Sequence, residues 1–502
     1  MSTGDPSSRG RPAPIDSRPA LPALLCVAGL VALVLIVFAG GYGYHRDELY
    51  FLVAARHLAW SYPDQGPLTP LVAHMMTSIA PDSLTVLRIP SALMTGCAVL
   101  LTGLISSELG GSARAQLIAA ACAAVASFFL AVGHLLSTTT FDLLAWALVT
   151  WLVVRTIRTG DDRLWLVTGL VTGLALLNKP LIPFLLVGLA AGLLTAGPRR
   201  LLRSPWLWAG LLIAIVMWSP WLLWQNAHDW PQLKVSSSIA HGGSGSSQPR
   251  WALLPFQILL VSPVLAPVWI AGLLALARTD RLRQFRCFAV AWVVLVAIFL
   301  ITGGKPYYLG GMFPVLLAAG AIRVDGWLDR GSPRLRRALL AAAILSSGVV
   351  SALIALPLLP AAQTGPVIAA DGDVGETIGW PDFVRTVDHV YRSAGRPAVI
   401  FTSNYGEAGA VDRYGPGLGL PPAYSGHNGF GEWGPPPNAA GPVVVIGYAG
   451  ADLTDHFDGC RLAARVTNAA GVNNDENGEP IDLCAATRRP WSRIWGSLRH
   501  LG

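Results

Sequence analysis

Four consecutive residues, His45-Arg46-Asp47-Glu48, follow the first hydrophobic segment, and Asp64-Gln65-Gly66-Pro67 lies on the same loop. Both flanks of the acid pair are apolar, Val31 to Phe38 before it and Leu49 to Ala55 after it. Carboxylates are costly to keep near lipid, so this placement points to chemistry at the membrane face. The rare lysines point the same way. Among 36 basic residues only Lys179, Lys234 and Lys305 are lysine, and Lys179 and Lys305 each end a hydrophobic segment before a proline. An ammonium is a compact point charge suited to a phosphate oxygen, and Tyr307-Tyr308 stands beside Lys305. For either lysine alone, snorkelling at a helix end is the competing explanation. Asp142 opens a further hydrophobic segment, where the helix dipole would also favour an acid. Carboxylates and phosphate-binding cations on one face suit sugar transfer from a lipid phosphate. The acceptor hydroxyl needs a base, and the departing polyprenyl phosphate needs its charge neutralised.

The elements that position these groups are membrane helices. Hydrophobic residues make up 53% of the 502 and charged residues 13%, which describes a polytopic membrane protein. The formal charge of +7 is spread in short clusters between hydrophobic segments, so it does not mark a nucleic-acid surface. About eleven spans are expected, with Leu21–Gly41 first and retained as an anchor. The others are Ser83–Ser106, Ala115–Gly133, Thr139–Ile157, Leu164–Leu177, Leu181–Ala196, Trp206–Trp224, Leu253–Ala277, Phe285–Ile301, Tyr307–Ile322 and Ala338–Leu359. Arginines fill alternate loops, and by the positive-inside rule those loops are cytoplasmic. The N-terminus is then cytoplasmic, and the segment after about Pro360 is extracytoplasmic, as are Asp47, Asp64, Asp142 and all three lysines.

Three regions follow: residues 1–20, expected to be an unstructured cytoplasmic start; 21–360, a membrane domain with external loop 42–82; and 361–502, a soluble extracytoplasmic α/β domain. In the last, Pro397–Ser403 and Pro442–Tyr448 read as buried strands and Trp380–Ala394 as an amphipathic helix. Asn404-Tyr405-Gly406-Glu407-Ala408-Gly409 reads as a glycine-rich piece without the helix start a phosphate loop needs. Tyr424–Pro437 reads as a packed aromatic loop, with stacking on sugars as the alternative. Cys460 and Cys484 share this lobe, where an oxidising compartment would permit a disulfide. No Cys/His spacing resembles a zinc site.

The ordered motifs Arg46-Asp47-Glu48-Leu49-Tyr50-Phe51, Asp64-Gln65-Gly66-Pro67-Leu68, Arg88-Ile89-Pro90-Ser91, Thr140-Phe141-Asp142, Leu177-Asn178-Lys179 and Lys305-Pro306-Tyr307-Tyr308-Leu309 resemble glycosyltransferase family 39. This is the protein mannosyltransferase-like, aminoarabinose transferase-like branch of the GT-C membrane enzymes, and the resemblance covers roughly Leu21 to Ile322. It implies an inverting transferase that takes a sugar from polyprenyl phosphate to an extracytoplasmic glycan, lipid or protein in the plasma membrane. By the same resemblance Asp47 is the principal catalytic acid with Glu48 beside it, and Asp142 is a second carboxylate. Lys179, Lys305, Tyr307 and Tyr308 would face the lipid phosphate, and Asp64 would line the substrate site. A divalent cation, if one is used, would be held by Asp47 and Glu48. A lipid or solute transporter is the rival reading, but the candidate charges gather on one face and no inverted repeat is visible. A non-catalytic glycan receptor acting through Tyr424–Trp433 is the third.

Overall fold

The computed structural model describes residues 18–243, 247–395, 397–438 and 441–502; most of the N-terminal region expected to be unstructured, residues 1–17, lies outside them. Every expected span falls on helix. Among the described residues six helices are long and apolar enough to cross a bilayer: Leu21–Phe38, Leu84–Glu108, Thr138–Thr159, Pro205–Ala227, Pro306–Leu328 and Pro333–Ala355. Helices Leu164–Leu176, Ile182–Thr195 and Cys287–Thr302 are shorter, at 13, 14 and 16 residues, against the ~20 that a straight crossing needs. Side-chain oxygens of Ser83, Ser112 and Ser137 cap three helix starts.

Two expected spans are bent. Ala113–Ala124 and Ser127–His134 meet at 57°, and Arg250–Val261 and Ala266–Arg278 meet at 112°. The second break falls at Ser262-Pro263, where proline offers no N–H and excludes the helical conformation from the residue before it. Ser262 leaves the helix with φ 137°. The segment Leu253–Ala277 is therefore not one straight crossing.

The C-terminal region folds as the expected α/β lobe. Its strands are β1 (Val399–Thr402), β2 (Ala423–Ser425), β3 (Val443–Ile446), β4 (Phe457–Asp458), β5 (Arg461–Arg465), β6 (Pro480–Cys484) and β7 (Ala486–Thr487). Five form one sheet in the order β2-β1-β3-β6-β5, and β4 pairs with β7. The strand β1 runs parallel to β2 and β3, whereas β6 is antiparallel to β3 and β5. Helix Trp380–Ser393 packs its apolar face on the sheet through Phe383, Val384 and Val387. Cys460 and Cys484 form a disulfide.

One local reading is corrected. Asn404–Gly409 is itself a helix start: Asn404 caps Tyr405–Tyr414, its side chain accepting the Glu407 N–H while Glu407 accepts the Asn404 N–H. Its small residues serve close packing. A Cβ on Gly409 would lie 2.8 Å from the Leu49 backbone, so the helix can lie directly on helix Arg46–Ala54. Leu49, Tyr50 and Phe51 join one apolar core with Val384, Ile400 and Val444 of the lobe. The loop that follows the first hydrophobic helix is thus gripped by the lobe as well as by the membrane helices.

Candidate active site

Asp47 and Glu48 are neighbours on one helix, and their side chains meet opposite environments. Helix Arg46–Ala54 begins at His45, whose ring accepts the Asp47 N–H. Glu48 is fully buried. Its Oε1 accepts from Arg88 Nε at 2.8 Å and from the Leu136 N–H at 2.9 Å; its Oε2 accepts from Arg88 at 2.7 Å and from the His45 N–H at 2.8 Å. Arg88 is buried too, and it also donates to the carbonyls of Ala39 and Gly43, each at 2.8 Å. A buried bidentate pair with both carboxylate oxygens bonded twice is a strut. Both Glu48 oxygens are thus committed to Arg88 and backbone N–H groups, which tie this loop to the bundle and leave no free oxygen for the chemistry expected of Glu48.

Asp47 points instead toward the lobe, where its Oδ1 accepts the Tyr405 hydroxyl at 2.8 Å. Burial works against its ionisation. The His45 ring, the Arg46 guanidinium, the Tyr405 hydroxyl and Lys305 outweigh burial and hold its carboxyl below the usual value. Arg46 is itself anchored to Asp475 at 3.0 Å and Glu376 at 3.7 Å on the lobe. A cation shared by Asp47 and Glu48 does not fit, because the Glu48 oxygens are committed to Arg88. Among the described residues no three His, Cys, Asp or Glu side chains gather as metal ligands.

Asp64 accepts the Tyr50 hydroxyl at 2.9 Å and the Asn428 amide at 3.4 Å. Burial pushes its carboxyl up to about 7, with Asp47 adding to the rise. The loop that carries it is tied to the break at Leu177-Asn178-Lys179. The Gly66 N–H donates to the Asn178 carbonyl at 2.9 Å, the Leu68 N–H to Leu177 at 3.0 Å and the Thr69 hydroxyl to Asn178 Oδ1 at 2.9 Å. Only glycine fits at position 66, where a Cβ would lie 2.1 Å from the Leu177 carbonyl oxygen. Asn178 also donates to the Thr138 carbonyl at 2.7 Å, joining this loop to the start of helix Thr138–Thr159. Asp142 lies one turn into that helix and is buried.

These ties bring Lys179 among the acids. Burial lowers its ammonium, opposed by the charges of Asp142, Asp47 and Asp64. The ammonium sits over the Tyr308 ring at 5.1 Å and the Tyr307 ring at 5.5 Å. Lys305 lies 6.0 Å from the Tyr307 ring. Burial and the charge of Lys179 lower its ammonium to about 8. Lys234 is exposed on helix Pro231–Ala240 and takes no part. Asp47, Asp64, Asp142, Lys179, Lys305, Tyr307 and Tyr308 thus form one charged cluster at the end of the bundle under the lobe.

Three contributors were given no site role in the sequence reading. Arg88 was visible only as part of a motif, although a lone cation in an apolar helix is itself a signal of a buried partner. Tyr405 and Asn428 come from the lobe, far along the chain, and only their positions in space reveal them. The segment Tyr424–Pro437 is packed: Phe430 and Trp433 flank the Tyr50 ring at 6.3 and 6.0 Å, and Trp433 stacks on His57 at 4.6 Å. The other histidines of this face also hold structural bonds. His134 meets Arg88 at 3.3 Å, and His74 donates to the Ala55 carbonyl at 2.9 Å.

Residues 64–224 match the family model described as dolichyl-phosphate-mannose-protein mannosyltransferase, a stretch that contains Asp64, Asp142 and Lys179. The fold matches ArnT from Cupriavidus metallidurans over 93% of this chain and 98% of that one at 14% identity, with a TM-score of 0.59 in its apo state. The TM-score is 0.60 for the same protein bound to undecaprenyl phosphate, again at 14% identity and 93% and 98% coverage. The Archaeoglobus fulgidus oligosaccharyltransferase in its apo form aligns over 79% of this chain and 64% of that one, at 15% identity and a TM-score of 0.46. Among curated protein sequences no significant match to this chain is found. The chain is a multi-pass membrane protein with the GT-C fold that its motifs implied, matched through residues 64–224 by the mannosyltransferase family.

Proposed function

We propose that this protein transfers a sugar from polyprenyl phosphate to an extracytoplasmic acceptor with inversion. The observation that carries the reading is the convergence of an ionised Asp47 with Lys179 and Lys305 at one end of the bundle. Asp47 takes the proton from the acceptor hydroxyl, or orients that hydroxyl, as its oxygen bonds to the anomeric carbon. The bond from that carbon to the phosphate oxygen breaks, and the electron pair leaves on polyprenyl phosphate. Lys179 and Lys305, held over Tyr307 and Tyr308, neutralise the leaving phosphate. Asp142 keeps Lys179 charged, and Asp64 with Tyr50 and Asn428 shapes the approach of the acceptor.

The matched mannosyltransferase family and the undecaprenyl phosphate bound to ArnT support a lipid-phosphate donor. Orientation follows from the charges. Helix Thr138–Thr159 carries Asp142 near one end and, near the other, Arg155 and Arg158, which clasp Glu108. The arginine-rich end is cytoplasmic by the positive-inside rule. The C-terminal lobe therefore lies on the extracytoplasmic side of the plasma membrane. The test is Asp47→Asn in reconstituted full-length protein, assayed with polyprenyl-phosphate sugars and envelope glycan from a deletion strain. Transfer should fall by roughly 10²-fold or more; near-normal turnover would remove Asp47 from the mechanism.

A further inference from the structure

At the end of the bundle opposite the acid–lysine cluster lies a cavity of about 330 Å³. It opens between the C-terminal end of helix Leu84–Glu108, the end of Phe313–Leu328 and the short 3-10 turn Asp280–Phe285. Arg281, Arg323 and Arg330 line it together with Trp327, Ile322 and Leu282. None of its lining residues is acidic.

Four acids of this end pair with arginines outside the cavity. Arg114 takes both Asp325 and Asp329, Arg286 takes Asp280, and Arg155 with Arg158 takes Glu108. Arg281 spends one N–H on the Gly110 carbonyl at 3.0 Å. Among the described residues Arg323 and Arg330 have no ion-pair partner. The positive-inside bias accounts for arginines on this side, but it does not account for three of them converging on one partly apolar hollow. Three guanidiniums around such a hollow, with the Trp327 ring in its wall, fit a phosphodiester with its glycerol and first acyl carbons.

We propose that this cavity binds the headgroup of an anionic phospholipid, with Arg323 and Arg330 on the phosphate and Arg281 at its rim. The site is separate from the sugar-transfer cluster and would stand whether or not that reaction is correct. Native mass spectrometry of full-length protein, loaded with phosphatidylglycerol, cardiolipin or phosphatidylcholine, tests it. Anionic lipid should be retained in preference to phosphatidylcholine, and inorganic phosphate should not displace it. Each arginine contributes about five-fold to affinity, so Arg323→Gln with Arg330→Gln should reduce retention by roughly 25-fold. The same change at Arg199, Arg200 and Arg203, on the same side but away from the cavity, should leave retention intact. Equal retention of phosphatidylcholine would overturn the proposal in the native protein, even if the cavity variant fails to fold. So would displacement by millimolar phosphate, or an equal loss in the control variant.

Discussion

The Tyr405 hydroxyl donates to Asp47 Oδ1 at 2.8 Å, so a side chain of the C-terminal lobe orients the acid at the start of helix Arg46–Ala54. The bond joins residues 358 positions apart, and it stabilises the ionised carboxylate. Removing it with Tyr405→Phe should raise the Asp47 pKa. A base works only when ionised, so the acidic limb of the kcat/KM profile should move to higher pH by up to about one unit. The plateau should change less than the limb. An unmoved pH profile would show that Asp47 does not depend on the lobe.

The adjacent acids should separate cleanly under substitution. Glu48→Gln leaves the Arg88 guanidinium buried without its counter-charge, a loss of about 3–5 kcal/mol, read as a lower thermal midpoint or poor recovery of folded protein. Asp47→Asn should keep the midpoint close to that of the parent and lose transfer. If Glu48→Gln proved as stable as the parent, the strut between Glu48 and Arg88 would not bear on the fold.

Burial and the charge of Lys179 lower the Lys305 ammonium to about 8. Below that value it is charged and can hold a phosphate oxygen; above it the ammonium loses its proton and the attraction goes with it. Retention of undecaprenyl phosphate by the free protein should therefore weaken as pH rises from 7 to 9, and Lys305→Gln should flatten this dependence. An identical pH response in that variant would assign the titration to another group. Lys179→Arg should not preserve binding, because a planar fork does not replace a point charge packed over two rings.

Gly66→Ala places a methyl 2.1 Å from the Leu177 carbonyl oxygen. The backbone must move, and the bonds from Gly66 and Leu68 to Asn178 and Leu177 part. A destabilisation of about 2–4 kcal/mol is expected, with transfer lost further because Lys179 rides on the displaced break. Normal stability and transfer in this variant would show that the tether does not position the lysine.

Much of the architecture was legible before any coordinates. Apolar length places each expected span on helix, and buried β-branched runs mark β1 and β3. Period-3.6 patterning marks helix Trp380–Ser393. The candidate charges were legible because acids and lysines stand out against apolar flanks. The number of straight crossings was not, because the bend at Ser262-Pro263 changes direction without changing hydropathy.

The division of labour between Asp47 and Glu48 was also hidden, since adjacent acids on a helix start look alike in sequence. The sequence alone determined a polytopic helical chain with an α/β lobe, and the residue types that could work on a lipid phosphate. Side-chain solvation cost is a property of residue type and local run length, which is why this much was readable. Tertiary structure decided which acid is spent on Arg88, that Gly66 fastens the first loop beside Lys179, and that Tyr405 and Asn428 reach in from the lobe. Those outcomes depend on contacts between residues tens to hundreds of positions apart, which local pattern does not encode.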